Sequence, residues 1–143
     1  MVRTSCLGVL LLVILTGCRM AEREGQNPLP ENAAPLSYAE MVNRARGQAS
    51  SALDAFYIDA WIELEQSAQR LEQSARLLPK TTHIPEEFKT KVEPEAEQLR
   101  QDANKLLEAA RAKNATQVNE AMQRINLRIR QLRPAEKADL DKK

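Results

Sequence analysis

Cysteine stops at residue 18, glycine occurs only once after residue 25, and histidine occurs once in the whole chain, at position 83. Each shortage removes a class of chemistry. Beyond Cys18 there is no thiol nucleophile and no disulfide framework, so the core must supply the stability alone. Gly47, the one late glycine, excludes a Gly-rich phosphate loop. A single histidine cannot furnish the paired Glu-x-x-His motifs of a di-iron bundle, and no Ser-His-Asp set accompanies it. Charge of one sign is missing too. After residue 17 there are 20 Lys and Arg against 20 Asp and Glu, so no strong field points to nucleic acid. These absences predict a protein that is not an enzyme, with no catalytic residue, no metal and no resident cofactor.

What is abundant is Ala, Glu, Gln, Leu, Arg and Lys, the strong helix formers, with few aromatics and no strand pattern. The expected fold class is all-α.

The N-terminus has a different character. One positive charge, Arg3, precedes an apolar run from Leu7 to Leu15, and small residues follow, which is the layout of an export signal. The run is about half of the roughly 20 residues a spanning helix needs. Its ending, Leu15-Thr16-Gly17-Cys18, resembles the bacterial lipobox. The resemblance implies removal of residues 1–17, acylation of Cys18 with palmitate-type chains, and a membrane partner reached through that lipid outside the cytoplasm. Two or more chains hold stably where one binds marginally. Arg19, in place of Asp, favours the outer membrane over the inner one where a cell envelope has both, by analogy with lipoprotein sorting. The 126 residues that remain suffice for one domain.

Residues 18–36, with Pro28, Pro30 and Pro35, predict a lipidated cysteine and a partly extended tether spanning roughly 20 to 25 Å. Ser37-Tyr38-Ala39-Glu40 has capping-box spacing, with Leu36 and Met41 placed as a hydrophobic staple. Tyr38, Val42, Ala45, Ala49, Ala52 and Phe56 form a seam in steps of four and three. A second series, Tyr57, Trp61, Leu64, Ala68, Leu71, Ala75 and Leu78, has its own phase. It predicts a turn near Phe56 to Asp59, with Asp59 as the next cap; the competing reading is one helix of about 40 residues. Pro79 to Pro85 is a break, and Pro85 is expected to open a third helix. Pro94 inside that span demands a kink or a later start of its regular part. The third seam is Val92, Ala96, Leu99, Ala103, Leu106 and Ala110. Asn114 with Gln117 starts a fourth helix carrying Val118, Met122, Ile125, Ile129 and Leu132, which Pro134 ends. Leu127 falls off this seam. The pattern predicts an antiparallel up-down-up-down four-helix bundle over residues 37–133 and a charged tail over 134–143.

The helix order over residues 38–133 resembles the bacterial cytochrome c-prime type four-helix bundles. The resemblance is carried by Asp59-Ala60-Trp61 leading into Leu64, Ala68 and Leu71, by the Pro-containing loop, by Glu95-Ala96-Glu97-Gln98-Leu99, and by Ala109-Ala110 before a capped last helix. The family's haem motif, C-x-x-C-H, would fall at Ile125, Arg128 and Ile129. Both thiols and the imidazole are absent, which excludes covalent c-type haem. The resemblance therefore implies a cofactor-free scaffold. The alternative is a noncovalent b-type haem in electron transfer or ligand sensing, with His83 and Met41 as axial ligands at one end of the bundle.

Arg124, Arg128, Arg130 and Arg133 concentrate positive charge on the last helix. They are candidate contacts for an anionic partner, against the plainer reading of a solvated face at a helix C-terminus. The expected role is a membrane-anchored interaction or structural module of the bacterial cell envelope, with an envelope protein or a second copy of the chain as partner.

Overall fold

The structure, a computed structural model, describes residues 27–30 and 32–134. The expected signal segment 1–17, Cys18 and most of the expected charged tail lie outside the described residues.

Ser37 starts the first helix, α1 (Tyr38–Tyr57), as its spacing predicts. The Ser37 hydroxyl accepts from the Glu40 N–H at 3.4 Å, and the Glu40 carboxylate accepts from the Ser37 N–H at 2.9 Å. Three further helices follow among the described residues: α2 (Trp61–Leu77), α3 (Val92–Arg111) and α4 (Ala115–Leu132). No strand is present among those residues, so the fold is all-α, a four-helix bundle.

The break after α1 is real, but Asp59 is not the cap of α2. Ala60 holds that position without a side-chain bond. Asp59 instead takes a left-handed backbone, φ 55°, and closes a Schellman motif: its N–H donates to Phe56 O, and the Ala60 N–H donates to Ala55 O at 2.9 Å. The α3–α4 turn repeats the device. Lys113 has φ 50°, its N–H donates to Ala110 O, and the Asn114 N–H donates to Ala109 O. Both turns thus work without the usual glycine. A left-handed lysine carries strain of roughly 1–2 kcal/mol, partly offset in a glycine variant by greater loss of backbone freedom. Lys113→Gly is expected to stabilise the fold by about 0.5–1 kcal/mol, read as a higher midpoint in chemical denaturation; an unchanged or lower midpoint would contradict the strain.

Pro85 does not open the third helix. It precedes a short 3-10 turn, Glu86–Phe88, and the α-helix begins at Val92. The cause is Pro94, whose ring would clash with a helical carbonyl four residues earlier. As the third residue of α3 it lacks only an N–H that would have no partner anyway.

The four seams bury as patterned, with three exceptions at the α1–α2 turn. Phe56 and Trp61 are half-buried and Tyr57 is 75% exposed, so the fully buried part of the second seam starts at Leu64. Leu127 is exposed. Each helix packs most extensively on its neighbour in sequence, and α4 meets α1 more sparingly. The Tyr38 hydroxyl donates to Leu132 O at 2.6 Å, bringing the start of α1 to the end of α4. The Tyr38 N–H donates to Thr82 O at 2.8 Å and the Thr82 N–H to Leu36 O at 2.9 Å, tying the α2–α3 link to the same end. At the other end Arg111 pairs with Glu65 across 3.4 Å, placing the end of α3 beside the start of α2.

Candidate functional site

The residues before α1 are docked on the bundle rather than held off it. The Leu29 N–H donates to Gln73 Oε1 at 2.9 Å, and Gln73 Nε2 donates back to Leu29 O at 2.9 Å. One glutamine amide thus pairs with a backbone as a neighbouring strand would. Leu29 and Leu36 are half-buried against the core. The segment roofs a cavity of about 350 Å³ bordered by Leu29, Pro30, Leu36, Met41, Gln73 and Thr81. Leu36 and Met41, the expected staple pair, both border it. The tether expected over 18–36 is therefore a strap from Leu29 onward. Its apolar residues between prolines were the available signal, and the partner, Gln73, lies 44 residues away. Close by on α1, Arg44 is half-buried; burial, and secondly the charge of Arg70, hold its guanidinium below the usual range.

His83 and Met41 occupy the same end of the bundle, as expected, but not the same cavity. Met41 is buried and borders the space under the strap, whereas His83 is exposed with its Nδ1 3.0 Å from Thr82 Oγ1 and is not among the walls of that space. Where the haem motif would fall, Ile125 and Ile129 are buried in the core. Among the described residues no group of three or more His, Cys, Asp or Glu is placed to hold a metal ion.

The four arginines do not form one edge. Arg124 and Arg128, one turn apart, turn toward α3 and meet Asp102, which is only 3% exposed. Arg124 Nε lies 3.0 Å from Asp102 Oδ1, and Arg128 Nε lies 3.4 Å from Oδ2. The rest of the Arg128 fork reaches Glu95 at 3.2 Å and Gln98 at 3.1 Å. Glu95, Gln98 and Asp102 are spaced i, i+3 and i+7 on α3, a polar stripe beside its apolar seam. That stripe facing Arg124 and Arg128 was legible as complementary spacing and was not anticipated. Arg130, on another face of α4, and Arg133, the extended residue that follows the helix, are exposed and make no ion pair among the described residues. Of the four, only these two are available to an anionic partner without disturbing the scaffold. Further out on α3, side-chain bonds from Arg100 and then Gln101 hold the exposed Glu97 carboxyl down to about 2.

A second surface stands at the α1–α2 turn. Tyr57 and Ile58 are 75% exposed and Ile62 is 70% exposed, so three large apolar side chains project within six residues. Behind them Phe56 and Trp61 pack edge to face, ring centroids 5.9 Å apart. Periodicity assigned Tyr57 to a buried seam. Tyr57 is instead the last residue of α1 and follows that helix's phase onto the solvent side, the turn after it being unmarked by a glycine. Among the described residues no helix is long and apolar enough to cross a membrane.

Comparison with protein-family profiles, with curated proteins and with solved structures finds no match.

Proposed function

We propose that this protein is a lipid-anchored envelope protein whose helical domain is a non-catalytic interaction or structural module. The observation that carries the reading is the export-signal layout ending in Leu15-Thr16-Gly17-Cys18. We also propose that the four helices run antiparallel, up-down-up-down, on a cytochrome c-prime-like scaffold without haem. Support comes from the two sets of contacts that pair opposite helix ends, Tyr38 with Leu132 and Arg111 with Glu65. Further support is the uninterrupted apolar seam through Ile125 and Ile129. Such a domain offers partners its surfaces rather than a reaction centre.

The test is metabolic labelling of the full chain with radioactive palmitate in a bacterial host, followed by fractionation. The wild-type protein is expected to carry label and sediment with membranes, the outer membrane where there are two. Cys18→Ser is expected to carry no label and to lose nearly all membrane association. Label independent of Cys18, or wild-type protein in the soluble fraction, would overturn the anchor.

A further inference from the structure

The strap has a direction. From Leu36, near the last turn of α2, it runs back to Leu29 at Gln73 and to Pro28, which borders a groove running from Arg76 and Gln73 back to Arg70, Gln69 and Gln66 on α2. Followed toward the N-terminus, it climbs α2 toward the α1–α2 turn. About 10 Å of helix, seven residues at 1.5 Å each, separates Gln69 from Ile62. Ten residues separate Pro28 from Cys18, a reach of at most about 35 Å. The described strap heads along α2 toward the end of the bundle formed by Tyr57, Ile58 and Ile62, and the length of chain before it is enough for Cys18 to reach that end.

That end is the one suited to lipid. It presents Tyr57, Ile58 and Ile62, with Trp61 and Phe56 behind them. The opposite end exposes Thr82, His83, Glu86, Glu87 and Lys89. Tyrosine and tryptophan favour the membrane–water interface, where an apolar ring and a polar group are both accommodated. Around the tip are three acids, Asp54, Asp59 and Glu63, and two bases, Arg111 at the end of α3 and Lys113 in the α3–α4 turn, so there is no positive excess to require anionic lipid. The carboxylates also limit the depth of contact to the headgroup boundary.

We propose that the Tyr57-Ile58-Ile62 tip is a second membrane contact, which seats the anchored bundle upright with its α1–α2 turn in the lipid surface and its His83 end facing away. The contact rests on the anchor reading above. Alone it is too small to recruit the protein; once Cys18 holds the chain to the surface, the tip meets lipid at high effective concentration. Seating fixes which faces of the bundle an envelope partner can reach.

Trp61 is the only tryptophan in the chain and lies at this tip, so it reports the contact directly. The acylated full-length protein would be reconstituted in phosphatidylcholine vesicles with or without brominated acyl chains, with acylation verified by the mass of the N-terminal peptide. Brominated lipid is expected to reduce Trp61 emission to roughly half, as for an indole at the interface. Ile58→Asp with Ile62→Asp, both at exposed positions, is expected to leave acylation and helicity intact and to abolish the quenching. Acylated wild-type protein that is not quenched, or equal quenching in the double variant, would overturn the seating. So would a protein-concentration-dependent change in Trp61 emission in lipid-free detergent that the double variant removes, because a second copy would then cover the tip. A missing acyl mass would overturn the anchor itself, and the seating with it.

Discussion

Replacing Arg124 and Arg128 together by alanine is expected to cost about 3–5 kcal/mol of unfolding free energy. The argument turns on asymmetry of burial. The Asp102 side chain is 5% exposed, whereas those of Arg124 and Arg128 are 42% and 27% exposed. Without its arginines the carboxylate is left desolvated in the α3–α4 seam with no counter-charge. Without Asp102, in contrast, Arg124 turns to water and Arg128 keeps Glu95 and Gln98. Asp102→Ala is therefore expected to cost less, about 1–3 kcal/mol. A triple variant, Arg124→Ala, Arg128→Ala and Asp102→Leu, is expected to regain most of the loss, because no charge is then buried. Chemical denaturation of the three variants decides the matter: equal losses for the single and double variants, or no recovery in the triple, would show that the arginines matter for their own packing and not for Asp102. A binding assay on an anionic partner must accordingly use Arg130 and Arg133, since a change at Arg128 alters the fold and the surface together.

The apolar rhythm carried most of the architecture. Steps of four and three residues located the seams of all four helices because only one stripe of each is buried. The capping box at Ser37 located the start of α1 because both of its bonds are local. What escaped depended on backbone torsion or on distant pairing. Asp59 and Lys113 adopt left-handed torsions that normally select glycine, so the turns lacked their usual marker, and with it the sign that Tyr57 still belongs to α1. The start of α3 slid from Pro85 to Val92 because the clash set by Pro94 outweighs a favourable N-terminal proline and two acids. Asp102 sits next to Ala103 of the seam and looks in sequence like any polar neighbour; only the arginines 22 and 26 residues later give it a role. Gln73 and Leu29 are further apart still, and a proline-bearing segment reads as a tether until something is found to hold it.

The consequence for function is geometric. A lipid on Cys18 by itself would leave the bundle free to present any face. The Gln73 clasp holds Leu29 on α2, and in the proposed seating the exposed tip sets which end turns toward lipid. Orientation then follows from two local features, one hydrogen-bonded and one apolar.

Tyr38 ties three parts of the bundle together, and its ionisation is expected to reveal that in alkaline solution. The phenol is 1% exposed, stacks on Phe88 with centroids 5.3 Å apart, and donates to Leu132 O at 2.6 Å. Burial, and secondly the nearby Glu87 carboxylate, push its pKa from 10.0 up to about 12. In the folded protein the neutral form is favoured, so the unfolded chain gives up this proton first as pH rises. The contribution to stability is fully present below pH 10 and is lost progressively as the pH climbs through about 12, amounting to about 2–3 kcal/mol. Tyr38→Phe cannot ionise. At neutral pH it is expected to be less stable than the wild type by about 1 kcal/mol, having lost one buried hydrogen bond. Between pH 10 and 12 the wild type should lose stability relative to the variant, until the order reverses and the phenylalanine protein is the more stable of the two. Comparing the two proteins at each pH cancels titrations they share, lysines included. Denaturation curves that stay parallel across the window would mean that the phenol is reached by solvent, and that the end of the bundle where α1, α4 and the α2–α3 link meet is open.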